Sequence, residues 1–223
     1  MELRKPRIVI FASGSKEGGG SGFENMVNAT RSGILNAEIT AVISNHEHGG
    51  VRERAERLGI NFIHFPLPRN AEKYQEIVGD ADLICLSGWL KPVVGLDPKK
   101  TINIHPGPLP RFGGSGMYGH HVHEAVMEAY KRGEVTHSAV SMHFVTENYD
   151  EGPLFFEFPV EILPTDTSET LAKRVLAVEH QWQPVITQKV LSGEINWDKF
   201  VNFQNYYWLT PSVITISGAQ QHI

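Results

Sequence analysis

Short runs of apolar and β-branched residues alternate along the first half of the chain with segments whose apolar positions recur every three or four residues. Residues 7–13 (RIVIFAS), 38–44 (EITAVIS), 61–65 (NFIHF), 81–86 (ADLICL) and 101–104 (TINI) read as strands. The fourth is apolar throughout, as a strand covered on both faces would be. Between them, 23–31, 51–58 and 71–78 carry helical spacing, and Gly59 and Gly79 stop the second and third. This alternation predicts βαβ units, right-handed crossovers and an open, mostly parallel, doubly wound α/β sheet.

The pattern then changes. Residues 138–144 (SAVSMHF) and 154–162 (LFFEFPVEI) read as two strands joined by a polar turn, an antiparallel extension of the sheet. Residues 167–191 read as one long helix, with Thr167 or Ser168 as its N-cap and Gly193 as its stop. Pro184 lies inside it, lacks an amide donor, and is expected to kink or divide it. We expect a single domain over residues 1–199. A tail follows over residues 200–223, where Phe200, Phe203, Tyr206, Tyr207 and Trp208 continue from Trp197 and pack on the body.

Composition narrows the class. Apolar residues make up 41% of the chain and charged residues 20%, which fits a soluble globular protein and excludes a disordered one. The single cysteine, Cys85, excludes a disulfide framework and a zinc-finger scaffold, and its apolar strand suits a core thiol. Twenty basic against 25 acidic residues give a net charge of −5, which argues against nucleic acid as a main partner. No apolar run approaches the roughly 20 residues needed to span a bilayer, so no membrane partner is expected. Residues 1–7 (MELRKPR) lead into the first strand without a signal-peptide core, so the expected compartment is the cytoplasm.

Three segments carry candidate chemistry. The loop from Ser13 to Gly22 lies between a strand and a helix, and Gly18, Gly19, Gly20, Ser21 and Gly22 let backbone N–H groups converge on an anion at the helix N-terminus. The Lys-Ser/Thr ending of a Walker loop is missing, and the alternative reading is a plain first βα turn. In the stretch from Ile102 to Pro110, Asn103 and His105 alternate onto one strand face at its carboxyl end, where open α/β sheets bind ligands. A carboxamide and an imidazole there can donate to an oxyanion, the imidazole best as an imidazolium, and the imidazole can also move a proton. The alternative is two polar residues closing a turn before Pro106. Asp150 sits in a turn tightened by Gly152 and Pro153, after His143, where a carboxylate either orients an imidazole or bonds its own turn.

Taken together, Ser13-Gly14, Asn103-x-His105-Pro106-x-x-Leu109-Pro110, His143-Phe144-Val145 and Asp150-x-Gly152-Pro153 resemble the folate-dependent formyltransferases in order and spacing. Within that family they are most similar to the branch whose acceptor is glycinamide ribonucleotide. The resemblance implies a Rossmann-like formyltransferase fold and a step of purine biosynthesis. In it the amine of glycinamide ribonucleotide attacks the formyl carbon of 10-formyltetrahydrofolate, the formyl-donor cosubstrate, without a metal. It implies that Asn103 and His105 stabilise the oxyanion, and that Asp150 holds His105 or relays a proton through water. It further implies that Gly18 to Gly22 take the acceptor's phosphate and Glu179 its ribose. Trp89, Leu90, Lys91, Val93 and His143 would border the folate, with Arg69 near its carboxylates.

Departures from the family pattern bear on that assignment. The glycine loop is longer than usual, and Gly22 stands where an asparagine is expected, which leaves phosphate binding to backbone N–H groups. Lys91 stands where arginine is common. Residues 113–123 are also long and carry His120, His121 and His123. We read them as a glycine-rich lid rather than a metal site, because no thiol or carboxylate set accompanies them. Sibling activities remain: formylation of a tRNA or a sugar nucleotide, or hydrolysis of the formyl donor. The tRNA enzyme carries a further C-terminal domain and the hydrolase an extra N-terminal one. A non-catalytic nucleotide-binding module is the reading from another class, and under it Asn103, His105 and Asp150 would matter only for stability.

Overall fold

A computed structural model describes residues 4–16 and 18–199. Its elements are β1 (Arg7–Phe11), α1 (Ser21–Ser32), β2 (Glu38–Ser44), α2 (Gly50–Leu58), β3 (Phe62–His64), α3 (Ala71–Val78), β4 (Leu83–Ser87), β5 (Thr101–His105), α4 (His120–Lys131), β6 (His137–Phe144), β7 (Leu154–Glu161) and α5 (Ser168–Leu191). One seven-stranded sheet runs in the order β3-β2-β1-β4-β5-β6-β7. The first five strands are parallel, and β6 and β7 add antiparallel at one edge. The expected α/β sheet and its antiparallel extension are both present.

Strand alternation divides the interior into two cores. Ile8, Ile10, Leu83 and Cys85 face the larger core, which α1, α2, α4 and α5 cover. Val9, Phe11, Ile84 and Leu86 face the other side, against Tyr74 of α3, Phe65 and Trp89. The central strands β1 and β4 are thus apolar on both faces, as helices on both sides of a sheet require. Burial also pushes the Cys85 thiol pKa up, consistent with a core residue.

The chain winds outward in both directions from β1 and β4, so the loops that leave these two strands part and open a crevice. Two hydrogen bonds fix its floor. Ser13 N donates to Gly88 O (2.9 Å), and Leu90 N donates to Ser13 Oγ (2.9 Å).

One expectation needs correction: of the glycine-rich lid read over 113–123, residues 120–123 open helix α4, one face of which Val122, His123, Val126, Met127 and Ala129 bury, and the glycines precede it. Strand β5 ends on His105, before Pro106. Of the two outcomes expected at Pro184, division does not occur. A proline at 184 leaves the His180 carbonyl without its helical donor, and Asn25 Nδ2 of α1 donates to that carbonyl instead (2.7 Å). The orphan group is satisfied from outside the helix, and α5 is fixed to α1 by the same bond.

At its start α5 is capped by Thr167, whose hydroxyl accepts from Thr170 N in a reciprocal capping box. Trp197 lies edge-on to Phe144 with ring centroids 5.6 Å apart. The tail aromatics Phe200, Phe203, Tyr206, Tyr207 and Trp208 lie outside the described residues. Among those described, no helix is long and apolar enough to cross a membrane.

Candidate active site

Antiparallel pairing of β5 with β6 sets Asn103 directly opposite His143. Their side chains meet, Asn103 Nδ2 lying 3.1 Å from His143 Nε2. His143 Nδ1 donates to Phe144 O (2.8 Å), which fixes the ring and leaves Nε2 for the cluster. Asp150 enters from the following turn, where it is the one non-glycine residue with positive φ among the described residues (56°). Such a backbone is costly for most side chains and tolerated best by Asp and Asn. Gly152 makes the turn possible, because a Cβ there would lie 1.7 Å from Phe144 O.

The turn holds the Asp150 carboxylate between two imidazoles. Oδ1 lies 3.3 Å from His143 Nε2, and Oδ2 lies 3.7 Å from His105 Nδ1. Oδ2 also accepts from Gly114 N (3.0 Å). Burial alone would raise the carboxyl pKa. The His143 contact, the His105 charge and the Gly114 N–H outweigh it, and the group sits below its ordinary value.

His105 is buried, and its Nε2 donates to Phe112 O (2.8 Å). Burial lowers its pKa and outweighs the attraction of Asp150. The lowered pKa favours the neutral ring at rest, whereas the sequence reading favours the imidazolium.

A cleft of about 490 Å³ runs from this cluster to the N-terminus of α1. Gly20, Ser21, Gly22, Trp89, Leu90, Asn103, His105, Asp150 and Glu179 all line it, so residues expected to act together do converge. Gly18 and Gly19 do not. They turn away to face Gly50 and Gly14, with Gly19 O accepting from Arg54 Nε (2.9 Å). Of the loop glycines and Ser21, only Gly20, Ser21 and Gly22 line the cleft.

Lys91, Val93 and His143 line a smaller cavity of about 50 Å³, which shares Trp89, Asn103, Tyr149 and Asp150 with the cleft. Arg69 lines neither. Its Nε donates to Phe65 O (2.9 Å), and its guanidinium lies 5.9 Å from the Trp89 ring centre.

Sequence reasoning missed Ser87, Gln183, Tyr118 and Tyr149 in the cleft wall, and it placed His123 in a lid. His123 is instead buried against the cleft with no partner for Nδ1, and burial, helped by the His120 and His105 charges, lowers its pKa to about 4. The other two histidines do not converge on it: His120 and His121 each lie 3.3 Å from Glu124. Glu179 is half-buried with no hydrogen-bonding or charged partner among the described residues, and lost solvation raises its pKa to about 8.

The formyl transferase family model matches residues 6–187. The chloroplastic phosphoribosylglycinamide formyltransferase of Arabidopsis thaliana is 34% identical over 209 residues, which cover 88% of this chain and 69% of the plant protein. The phosphoribosylglycinamide formyltransferase of Bacillus subtilis is 29% identical over 198 residues, covering 83% and 94% respectively. Among solved structures, glycinamide ribonucleotide transformylase 1 from Symbiobacterium toebii is 30% identical with a TM-score of 0.71, covering 85% of this chain and 89% of that one.

Proposed function

The chain belongs to the formyl transferase family, and on that premise we propose that it transfers the formyl group of 10-formyltetrahydrofolate to the amine of glycinamide ribonucleotide. The observation that carries this reading is the cluster of Asn103, His105, His143 and Asp150 at one end of a cleft whose other end is a helix N-terminus. Acyl transfer to an amine needs a donor for the oxyanion and a path for one proton, and this cluster holds both.

In this reading the formyl carbon sits beside Asn103. The Asn103 amide nitrogen now faces His143 Nε2 and, at 3.5 Å, Asp150 Oδ1. In this reading the carboxamide turns so that its N–H2 points to the oxyanion. His105 is neutral with a lone pair on Nδ1, because Nε2–H is held by Phe112 O. Nδ1 takes the proton that the amine releases as the new C–N bond forms. The resulting imidazolium is stabilised by Asp150 and returns the proton to the folate nitrogen as the old C–N bond breaks. Gly20 to Gly22 hold the acceptor's phosphate, and Glu179 holds its ribose hydroxyls. The folate ring lies between Lys91–Val93 and the Asp150 turn. Trp89, Leu90 and Arg69 stand on the same side.

The test is an assay of the purified chain with 10-formyltetrahydrofolate and, separately, glycinamide ribonucleotide, an aminoacyl-tRNA, an amino-sugar nucleotide or no acceptor. Formylation of glycinamide ribonucleotide alone is expected. Turnover without acceptor, or only with another amine, overturns the assignment.

A further inference from the structure

Position 22 sits in the first turn of α1 and offers no side chain to a ligand. A Cβ there would lie 2.3 Å from Ser87 Oγ and 3.4 Å from Gln183 Oε1. The space is taken by Gln183, which reaches in from α5 and is 2% exposed. Ser87 Oγ donates to Gln183 Oε1 (3.3 Å), which occupies the amide oxygen. The amide nitrogen has no partner among the described residues, and Gln183 lines the cleft. The side chain is held in place by burial and by Ser87, and its amide nitrogen opens on the cleft, where an acceptor can reach it.

The surroundings indicate which acceptor. The first-turn N–H groups of α1 have no helical partner, Glu24 N being the first to find one, at Gly20 O (3.0 Å). They add the positive end of the helix dipole. The Gln183 oxygen is already committed to Ser87. This end of the cleft therefore presents donors and suits a group that only accepts. Glu179, one turn earlier on the same face of α5, suits hydroxyls instead.

We propose that Gln183 binds the phosphate of a phosphorylated ribose acceptor, its amide N–H2 donating to a phosphate oxygen seated on the N-terminus of α1. This rests on the functional reading above, which puts the acceptor's phosphate at that end. The bond from Asn25 of α1 to the His180 carbonyl of α5 holds the two sets of donors at a fixed separation. Ser87 is a positioning residue, since its hydroxyl sets which way the amide faces.

Two substitutions test this: Gln183→Glu, which keeps the shape and removes the donor, and Gln183→Met, which keeps the volume. Each is compared with wild type on glycinamide ribonucleotide and on its dephosphorylated form, with thermal melting and folate-analogue binding as controls. A charge-assisted hydrogen bond lost from the acceptor should raise KM for the phosphorylated substrate about 10- to 100-fold. The dephosphorylated form should change little, and kcat and folate-analogue affinity should stay near wild type. Equal losses on both acceptors, or none, would make Gln183 a packing residue. Titration of ribose 5-phosphate without folate reads the same contact with no turnover. Binding that weakens in Gln183→Glu supports the contact, and equal affinity in both proteins overturns it, whichever amine proves to be the acceptor. A wild type that binds ribose 5-phosphate but leaves glycinamide ribonucleotide unformylated would sink the functional reading and spare this one.

Discussion

Asp150 combines a left-handed backbone with a carboxylate placed between His105 and His143. Asparagine tolerates that backbone and keeps the shape, so Asp150→Asn should fold normally and bind a folate analogue. It carries no charge to stabilise the His105 imidazolium. Turnover should fall about 10²–10⁴-fold, the usual range of an acid–base contribution; turnover near wild type would reduce Asp150 to a turn residue. The same variant should shift the pH profile. Burial holds His105 below its ordinary value while Asp150 pulls it up, so removing the charge lowers it further. The acid limb of kcat/KM should therefore move to lower pH in Asp150→Asn, and a limb that stays in place would exclude His105 as the titrating base. At this scale Asn103 and His105 were legible, because strand alternation alone puts them on one face. The place of His143 in the cluster was not. It depends on an antiparallel register between residues 40 positions apart, which no local pattern encodes.

The elements that sequence placed well are those with strong local signals: β2 and α3 match to the residue, and Thr167 is the N-cap of α5. Helix α4 was hidden because His120, His121 and His123, preceded by glycines, look like a loop until Val122, Val126 and Met127 are seen to line one face. The continuity of α5 was hidden for another reason, since its orphan carbonyl is satisfied by a residue from a different helix. Removing that donor should be expensive: Asn25→Ala leaves the His180 carbonyl unpaired and should cost about 1–3 kcal/mol in urea unfolding. In a Pro184→Ala background the helix supplies its own N–H at that position, so Asn25→Ala should cost much less there. Additive losses in the double variant would show that Asn25 stabilises the protein some other way. The loops carry a parallel expectation. A folate analogue should slow amide exchange in both 88–93 and 145–150, the segments that border the smaller cavity; slowing confined to the region of Glu179 would place the folate at the wrong end.

On the scale of the whole molecule, strand–helix alternation foretold the doubly wound sheet, and with it a crevice at the carboxyl ends of β1 and β4. What alternation does not reveal is that the crevice walls bury titratable groups without partners, and these couple function to stability. His123 has its pKa lowered from 6.5 to about 4. Between those values the unfolded chain binds the proton and the folded one does not, so stability rises with pH there and is lost on acidification. The gap corresponds to about 3 kcal/mol. Glu179 acts in the opposite sense: raised from 4.5 to about 8, it holds a proton in the folded state that the unfolded chain has released, so its contribution is lost as pH rises across that interval. The two intervals overlap between 4.5 and 6.5, where the opposed slopes cancel, so urea midpoints from pH 4 to pH 9 should show a broad plateau with a fall above it. His123→Gln should leave stability falling from about pH 4.5 onward, and Glu179→Gln should leave it rising up to about pH 6.5 with no fall above. An acceptor that engages the ionised Glu179 lowers its pKa in the folded protein and would flatten the alkaline fall in wild type. Acid limbs that run parallel in wild type and His123→Gln would show that His123 is solvated in the free protein, and that the open cleft admits enough water to keep its ordinary titration.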